Sequence, residues 1–208
     1  MNVIEKLNWR YATKKFSTEK LPQDKVDTIL EAATLTASSY GLQPWSIVVV
    51  NDPAVREQLV EHSWGQMQVK DASHLLVIAR QSDMTPAHVE AYIDNIVNTR
   101  NIPADAVAGF KDTMLGTVNS LSAEDKALWM SKQAYIVLGN LLTVCATLDV
   151  DACPMEGFIP EKYDEILGLK EKGLASVLVL PIGIRAEDDS FQHMKKVRKS
   201  LEDTIVTI

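Results

Sequence analysis

Residues 122–148 read SAEDKALWMSKQAYIVLGNLLTVCATL, from Ser122 to Leu148. Ser122 followed by Ala123, Glu124 and Asp125 marks a helix start, because a serine oxygen accepts from a free first-turn N–H. From there apolar residues fall on nearly every side of the helix through Leu148. A helix that is apolar all round requires burial on all sides. In a chain of 208 residues that is easiest if a second subunit covers part of it. A monomer whose own core covers the helix is the alternative.

Outward from this helix, Leu174–Pro181 is a buried strand, and Leu201–Ile208 is an apolar, β-prone tail. Such a tail is expected to pair as a strand or to lie under a partner chain. Upstream, Thr85–Thr117 reads as two helices broken near Asn101-Ile102-Pro103. Ala72–Arg80 and the β-branched run Ser46–Val50 read as strands. Asp52-Pro53 opens a helix, with aspartate as cap and proline in the first turn. Leu21-Pro22-Gln23-Asp24 turns into a helix carrying Val26, Ile29, Leu30 and Ala33 on one face, and Asn2–Trp9 is a short opening helix. This order points to a mixed α/β or α+β sandwich. With no repeat, low-complexity tract or linker, residues 1–208 read as one domain.

The net charge of −7 opposes nucleic-acid binding, which needs a dominant basic face. No run approaches the roughly 18 apolar residues that span a bilayer. Met1–Lys6 carries an early acid and no apolar core, unlike a signal peptide. Cys145 and Cys153 stand in apolar surroundings and form no framework, which suits a reducing cytoplasm. Neither G-x-G-x-x-G nor a P-loop occurs, nor G-x-S-x-G. His62, His74, His88 and His193 are scattered, so no metal is expected, and His74 reads as a structural, hydrogen-bonded histidine.

Two basic islands remain. Arg10, Lys14 and Lys15 lie near the start and Lys195, Lys196, Arg198 and Lys199 near the end. Each alone reads as a solvated surface; together they can build one anion site from both chain ends. Two further segments stand out, the polar turn Ala37–Trp45 and Pro154-Met155-Glu156-Gly157-Phe158.

In these motifs the chain resembles the nitroreductase family, in its oxygen-insensitive NAD(P)H-dependent branch. The likeness runs through Arg10-x-x-Thr13-Lys14-x-Phe16, Ser38-Ser39-x-x-x-Gln43-Pro44-Trp45, Asp71-Ala72-Ser73-His74, Trp129–Gln133, Gly139–Leu142, Pro154–Gly157, Gly168–Gly173 and Lys196-x-Arg198. It implies an α+β fold with a central, mostly antiparallel sheet flanked by helices, and a homodimer that exchanges its C-terminal strand. It implies bound FMN, with NADH or NADPH as co-substrate, and active sites at the dimer interface.

By that resemblance, Arg10, Lys196 and Arg198 match phosphate ligands, and Tyr11 and Ala12 stand where relatives often carry His-Ser. A phosphate dianion suits forked Arg donors and a Lys point charge. Lys14 matches the lysine near flavin N1 and O2, where a fixed cation stabilises the anionic reduced ring. Ser38 and Ser39 match a loop supplied across the interface, with Gly41 where asparagine is common. Gln133 matches a helical residue facing the cofactor. Gln66 and Gln68 fall at the pyrimidine edge, where an amide both donates and accepts. Pro154, Met155, Glu156 and Gly157 match the turn whose backbone N–H points at flavin N5; glycine permits that approach. No side-chain nucleophile is implied. Phe110, Met114 and Leu115, in the variable Phe110–Leu121 stretch, are candidates for the acceptor pocket, with simple helix packing as the alternative.

The expected activity is ping-pong two-electron reduction of nitroaromatics, quinones or similar flat acceptors. A dihydropteridine, quinone or flavin reductase on the same scaffold, or a non-catalytic flavin-binding protein, are the rival readings. No motif separates NADH from NADPH.

Overall fold

The computed structural model describes residues 2–208, so Met1 of the opening stretch lies outside the described residues. Among those residues one antiparallel sheet forms from Trp45–Val50 (β1), His74–Gln81 (β2), Asp151–Ala152 (β3) and Leu174–Gly183 (β4), in the order β1-β2-β4-β3. β2 and β4 are buried on both faces, which is why they read as continuous apolar runs rather than alternating ones. Leu76 pairs with Leu180 and Val77 with Val179, and the register shifts once between Ile78 and Ala79.

The helices follow from local signals. Val3–Trp9 (α1) is capped by Asn2 Oδ1, which accepts from Ile4 N at 3.0 Å. Gln23–Thr34 (α2) buries Val26, Ile29 and Ala33. Pro53–Glu61 (α3) starts at Asp52, whose Oδ1 accepts from Ala54 N at 2.8 Å. Gln68–Asp71 (α4) is a single turn before β2. Pro86–Arg100 (α5) and Ala108–Ser120 (α6) are the two helices expected across 85–117, parted at Asn101, whose φ of 50° ends α5. Ala123–Thr147 (α7) is the long helix, with Ser122 Oγ accepting from Asp125 N at 3.1 Å. Pro160–Ile166 (α8) precedes β4.

Three cores result. On one sheet face α2 and α7 pack Ile29, Ala134, Val137, Leu141 and Cys145 against Leu76, Ile78, Leu178 and Leu180. On the other, Leu59, Val69, Phe158 and Tyr163 from α3, α4 and α8 and their flanks meet Leu75, Val77 and Val179. A third cluster joins α5 and α6 to the first part of α7 through Val89, Ile93, Met114, Val118 and Met130. The sandwich is therefore α+β.

One reading is narrowed and one expectation changes. The chain's own core does not cover α7 on all sides, since Leu128, Tyr135 and Ile136 stay exposed, which leaves a face for the second subunit expected from sequence. The tail is not a strand here: Leu201–Thr204 (α9) is a helical turn and residues 205–208 are irregular and exposed. Ser200 explains the turn, since its Oγ accepts from Asp203 N at 3.0 Å and donates to Asp203 Oδ2 at 2.8 Å. Residues 201–208 pair with neither edge strand, β1 nor β3, and the local cap sets the turn instead. Among the described residues, no helix is long and apolar enough to cross a membrane.

Candidate functional site

The loop after α1 is laid against the sheet by its backbone. Ala12 forms a parallel bridge with Ala152 of β3, and Phe16 bridges to Arg185 just beyond β4. The buried Asp151 carboxylate holds Arg185, accepting from its backbone N at 2.8 Å and its Nε at 2.8 Å. The Arg185 guanidinium lies 4.2 Å from the Trp9 ring centroid and 4.7 Å from that of Tyr11, so the cation packs against both rings.

Asp189 completes the anchoring. Its Oδ2 accepts from the Tyr11 hydroxyl at 2.8 Å, Lys14 N at 2.8 Å and Lys15 N at 3.2 Å, and its Oδ1 accepts from Phe191 N at 3.1 Å. Burial alone would push the Asp189 carboxyl up, but these donors together hold it below the usual aspartate value. Burial and the bond to Asp189 push the Tyr11 phenol up, so it remains a protonated donor. Tyr11 thus anchors the loop with its hydroxyl.

The two chain ends then meet. Lys196 Nζ donates to the carbonyl of Arg10, 186 positions earlier. A cleft of about 530 Å³ opens there, lined by Arg10, Tyr11, Ala12, Lys14, Pro154, Lys195, Lys196 and Arg198 together with Asn8, Trp9, Phe191, Gln192 and Met194. Five cations line it and no acidic side chain does. Burial, then the neighbouring Arg198, pulls the Arg10 guanidinium down; burial, then Arg10 and Arg198, pulls Lys196 down. Like charges held together without a counter-ion make a site that favours an anion.

Lys14 also lines a second cleft of about 430 Å³ with Gln66 and Gln68. Beside it, Gln66 Nε2 donates to the Gly157 carbonyl at 3.0 Å. A Cβ on Gly157 would lie 2.8 Å from Trp64 Cζ3 and 3.0 Å from Gln66 Nε2, so glycine here leaves that space to the two side chains. Trp64 is 72% exposed with φ of 57°, an uncommon backbone state for a bulky residue. Met155 is buried and bridges to Val179, fixing the turn to the sheet. Glu156 is exposed and accepts from the Tyr135 hydroxyl at 2.6 Å.

Other candidates lie apart from these clefts. Ser39 N donates to Gln133 Oε1 at 2.8 Å, and Ser38 Oγ accepts from Gln43 N at 2.8 Å. Gln133 is buried beneath that turn and supports it, so within one chain it faces Ser39. Gly41, at φ of 81°, leaves room for Tyr92, with whose hydroxyl any Cβ would collide. Asparagine would be crowded at this position. Phe110 is half-exposed and tilts against Tyr40 at 6.1 Å, and Leu115 packs against the third cluster. Met114 is corrected to a core residue, with no exposed surface, because α6 turns it into the third cluster.

Sequence reasoning missed Asp189, Arg185 and Asp151. Asp188-Asp189 reads as a solvated acidic pair; only the turn-capping position before Ser190-Phe191 hints that one of them is inward. Cys153 also gains context. Its thiol lies 4.0 Å from the Lys14 ammonium and is pushed up by burial, more than Lys14 and Arg10 lower it. His74 accords with the structural reading through its contact with Ser73 Oγ at 3.0 Å.

Comparison with known proteins agrees with this architecture. The family model described as "Nitroreductase family" matches residues 7–184. A Staphylococcus aureus protein named "Putative NAD(P)H nitroreductase" is 36% identical over 98% of this chain and 94% of its own length. A Bacillus subtilis protein of the same description, YfkO, is 34% identical over 98% and 96%. Among solved structures, one from Exiguobacterium sibiricum, a "putative nitroreductase in complex with FMN", superposes with a TM-score of 0.85 at 19% identity, covering 100% of this chain and 98% of that one. The family match and the level of identity over nearly the whole length place this chain in the nitroreductase family.

Proposed function

We propose that the chain is an FMN-dependent NAD(P)H oxidoreductase that reduces flat acceptors such as nitroaromatics or quinones, donor and acceptor taking turns at one open site. The observation that carries this reading is the cleft where Arg10, Lys196 and Arg198 converge among five cations and no acid. That donor set suits a phosphate dianion: two guanidinium forks and an ammonium whose mutual repulsion a dianion relieves. Lys14, lining both this cleft and the one beside Gln66 and Gln68, suits a ligand with a phosphate at one end and a polar ring at the other.

When bound, FMN supplies two-electron transfer between nicotinamide and acceptor. The chain's own residues hold and orient it. Arg10, Lys196 and Arg198 would take the phosphate, with Tyr11 and Ala12 forming the loop beneath. Lys14 would supply positive charge where the reduced ring gathers negative charge. Gln66 and Gln68 would meet the pyrimidine edge, and the Pro154–Gly157 turn would bring backbone N–H groups close, as Gly157 allows. Ser38, Ser39 and Gly41, apart from the clefts within one chain, would complete the site of a second subunit. The exposed Leu128, Tyr135 and Ile136 of α7 and the exposed tail support that homodimer, including exchange of the tail.

The purified protein is expected to be yellow, and NADH or NADPH under nitrogen is expected to bleach it. A nitroaromatic or quinone then restores the colour. Arg10→Ala combined with Arg198→Ala should lower FMN affinity by roughly a hundredfold or more. A colourless protein that FMN does not reconstitute would overturn the reading.

A further inference from the structure

We infer that Asp189 is a positioning residue for the cofactor site, a clasp that registers the two chain ends so that their cations meet one phosphate. This rests on the FMN reading above. Asp189 is 1% exposed and touches nothing in the lining of the clefts except through the groups it holds. One oxygen takes three donors from the front of the chain, Tyr11 Oη, Lys14 N and Lys15 N. The other takes Phe191 N, on the segment leading to Lys195, Lys196 and Arg198.

The charge state matters as much as the position. Four N–H or O–H groups converge, and only an ionised carboxylate is acceptor-only on both oxygens. An asparagine amide would turn two donors toward groups that themselves donate, leaving Lys14 N or Phe191 N facing an N–H. Shape is kept and the clasp is lost. Lys196 Nζ ties the two ends at the Arg10 carbonyl, but Arg10, Lys196 and Arg198 repel one another, so the three bonds to the buried Asp189 carboxylate behind them hold the loop against that repulsion. The backbone of Lys14 is fixed by the same oxygen, so its ammonium is placed relative to the ring by Asp189 as well.

The test uses the full chain with FMN as the probe, reading affinity by flavin fluorescence and the flavin midpoint potential by anaerobic dye titration. Asp189→Asn is expected to weaken FMN roughly ten- to hundredfold and to make the potential more negative, because a misplaced Lys14 no longer stabilises the reduced ring. Tyr11→Phe, which removes one of four donors, is expected to give a smaller loss with the fold intact. Asp189→Asn that melts earlier but keeps both affinity and potential would overturn the proposal, as would Tyr11→Phe behaving as wild type if Asp189→Asn does not fold. Wild-type protein without FMN affinity would instead overturn the FMN reading itself.

Discussion

Gly157 and Trp64 show how much one missing carbon decides. The indole occupies the space a Cβ would need, and Gln66 bonds the same residue's carbonyl. Gly157→Ala must push Trp64 aside, which the exposed indole can do cheaply, but it also disturbs Gln66, which lies 3.0 Å from the position of the new Cβ. Turnover is expected to fall roughly tenfold while the melting temperature stays near wild type; steady-state kinetics and thermal unfolding check both. Asp189 gives the pH prediction. Its folded pKa is depressed, so its contribution to stability is present above the unfolded value of 3.8 and is lost as pH falls through the lower folded value. The gap in melting temperature between wild type and Asp189→Asn should therefore be open at neutral pH and close in acid below that window. A gap that widened on acidification would contradict the assignment.

At the scale of elements, α7 was the most legible and the tail the least. Both α7 ends and its role in the core follow from Ser122 and the apolar surround, since a cap and a periodic pattern are local properties. The tail Leu201–Ile208 carries β-prone residues, but forming a strand needs an edge to pair with, which depends on distant chain or on a second copy. β3 escaped reading for a similar reason: two residues become a strand only because β4 lies alongside. In the site, the cations and glycines were readable because their residue types state their chemistry. Asp189, Asp151 and Arg185 were not, because a charge that will be buried and paired looks in sequence like one that will be solvated. If the exposed side of α7 is a subunit interface, Ile136→Lys should weaken the dimer roughly tenfold or more and release flavin with it. Light scattering across a dilution series, followed with flavin absorbance, measures this; an unchanged mass and unchanged colour would remove α7 from the interface.

At the scale of the whole molecule, charge is distributed against its own average. A chain of net −7 concentrates five cations around one cleft, so an anionic ligand meets a local field opposite in sign to the molecule's net charge. Association of FMN with the apoprotein is expected to slow several-fold between about 0.01 M and 0.5 M salt, measurable by stopped-flow fluorescence. An insensitive rate would mean that the local field does not guide binding.

The meeting of Arg10 with Lys196 also has a meaning in the order of synthesis. Lys196 is made 186 residues after Arg10, when all four strands have already been translated. β4, the strand that joins β2 to β3, ends only thirteen residues before Lys196, so the closing of the sheet and the closing of this cleft both wait for the last part of the chain. A chain cut before Lys196 is expected to keep Arg10 and Lys14 but to lose the cations that face them across the cleft, Lys196 and Arg198.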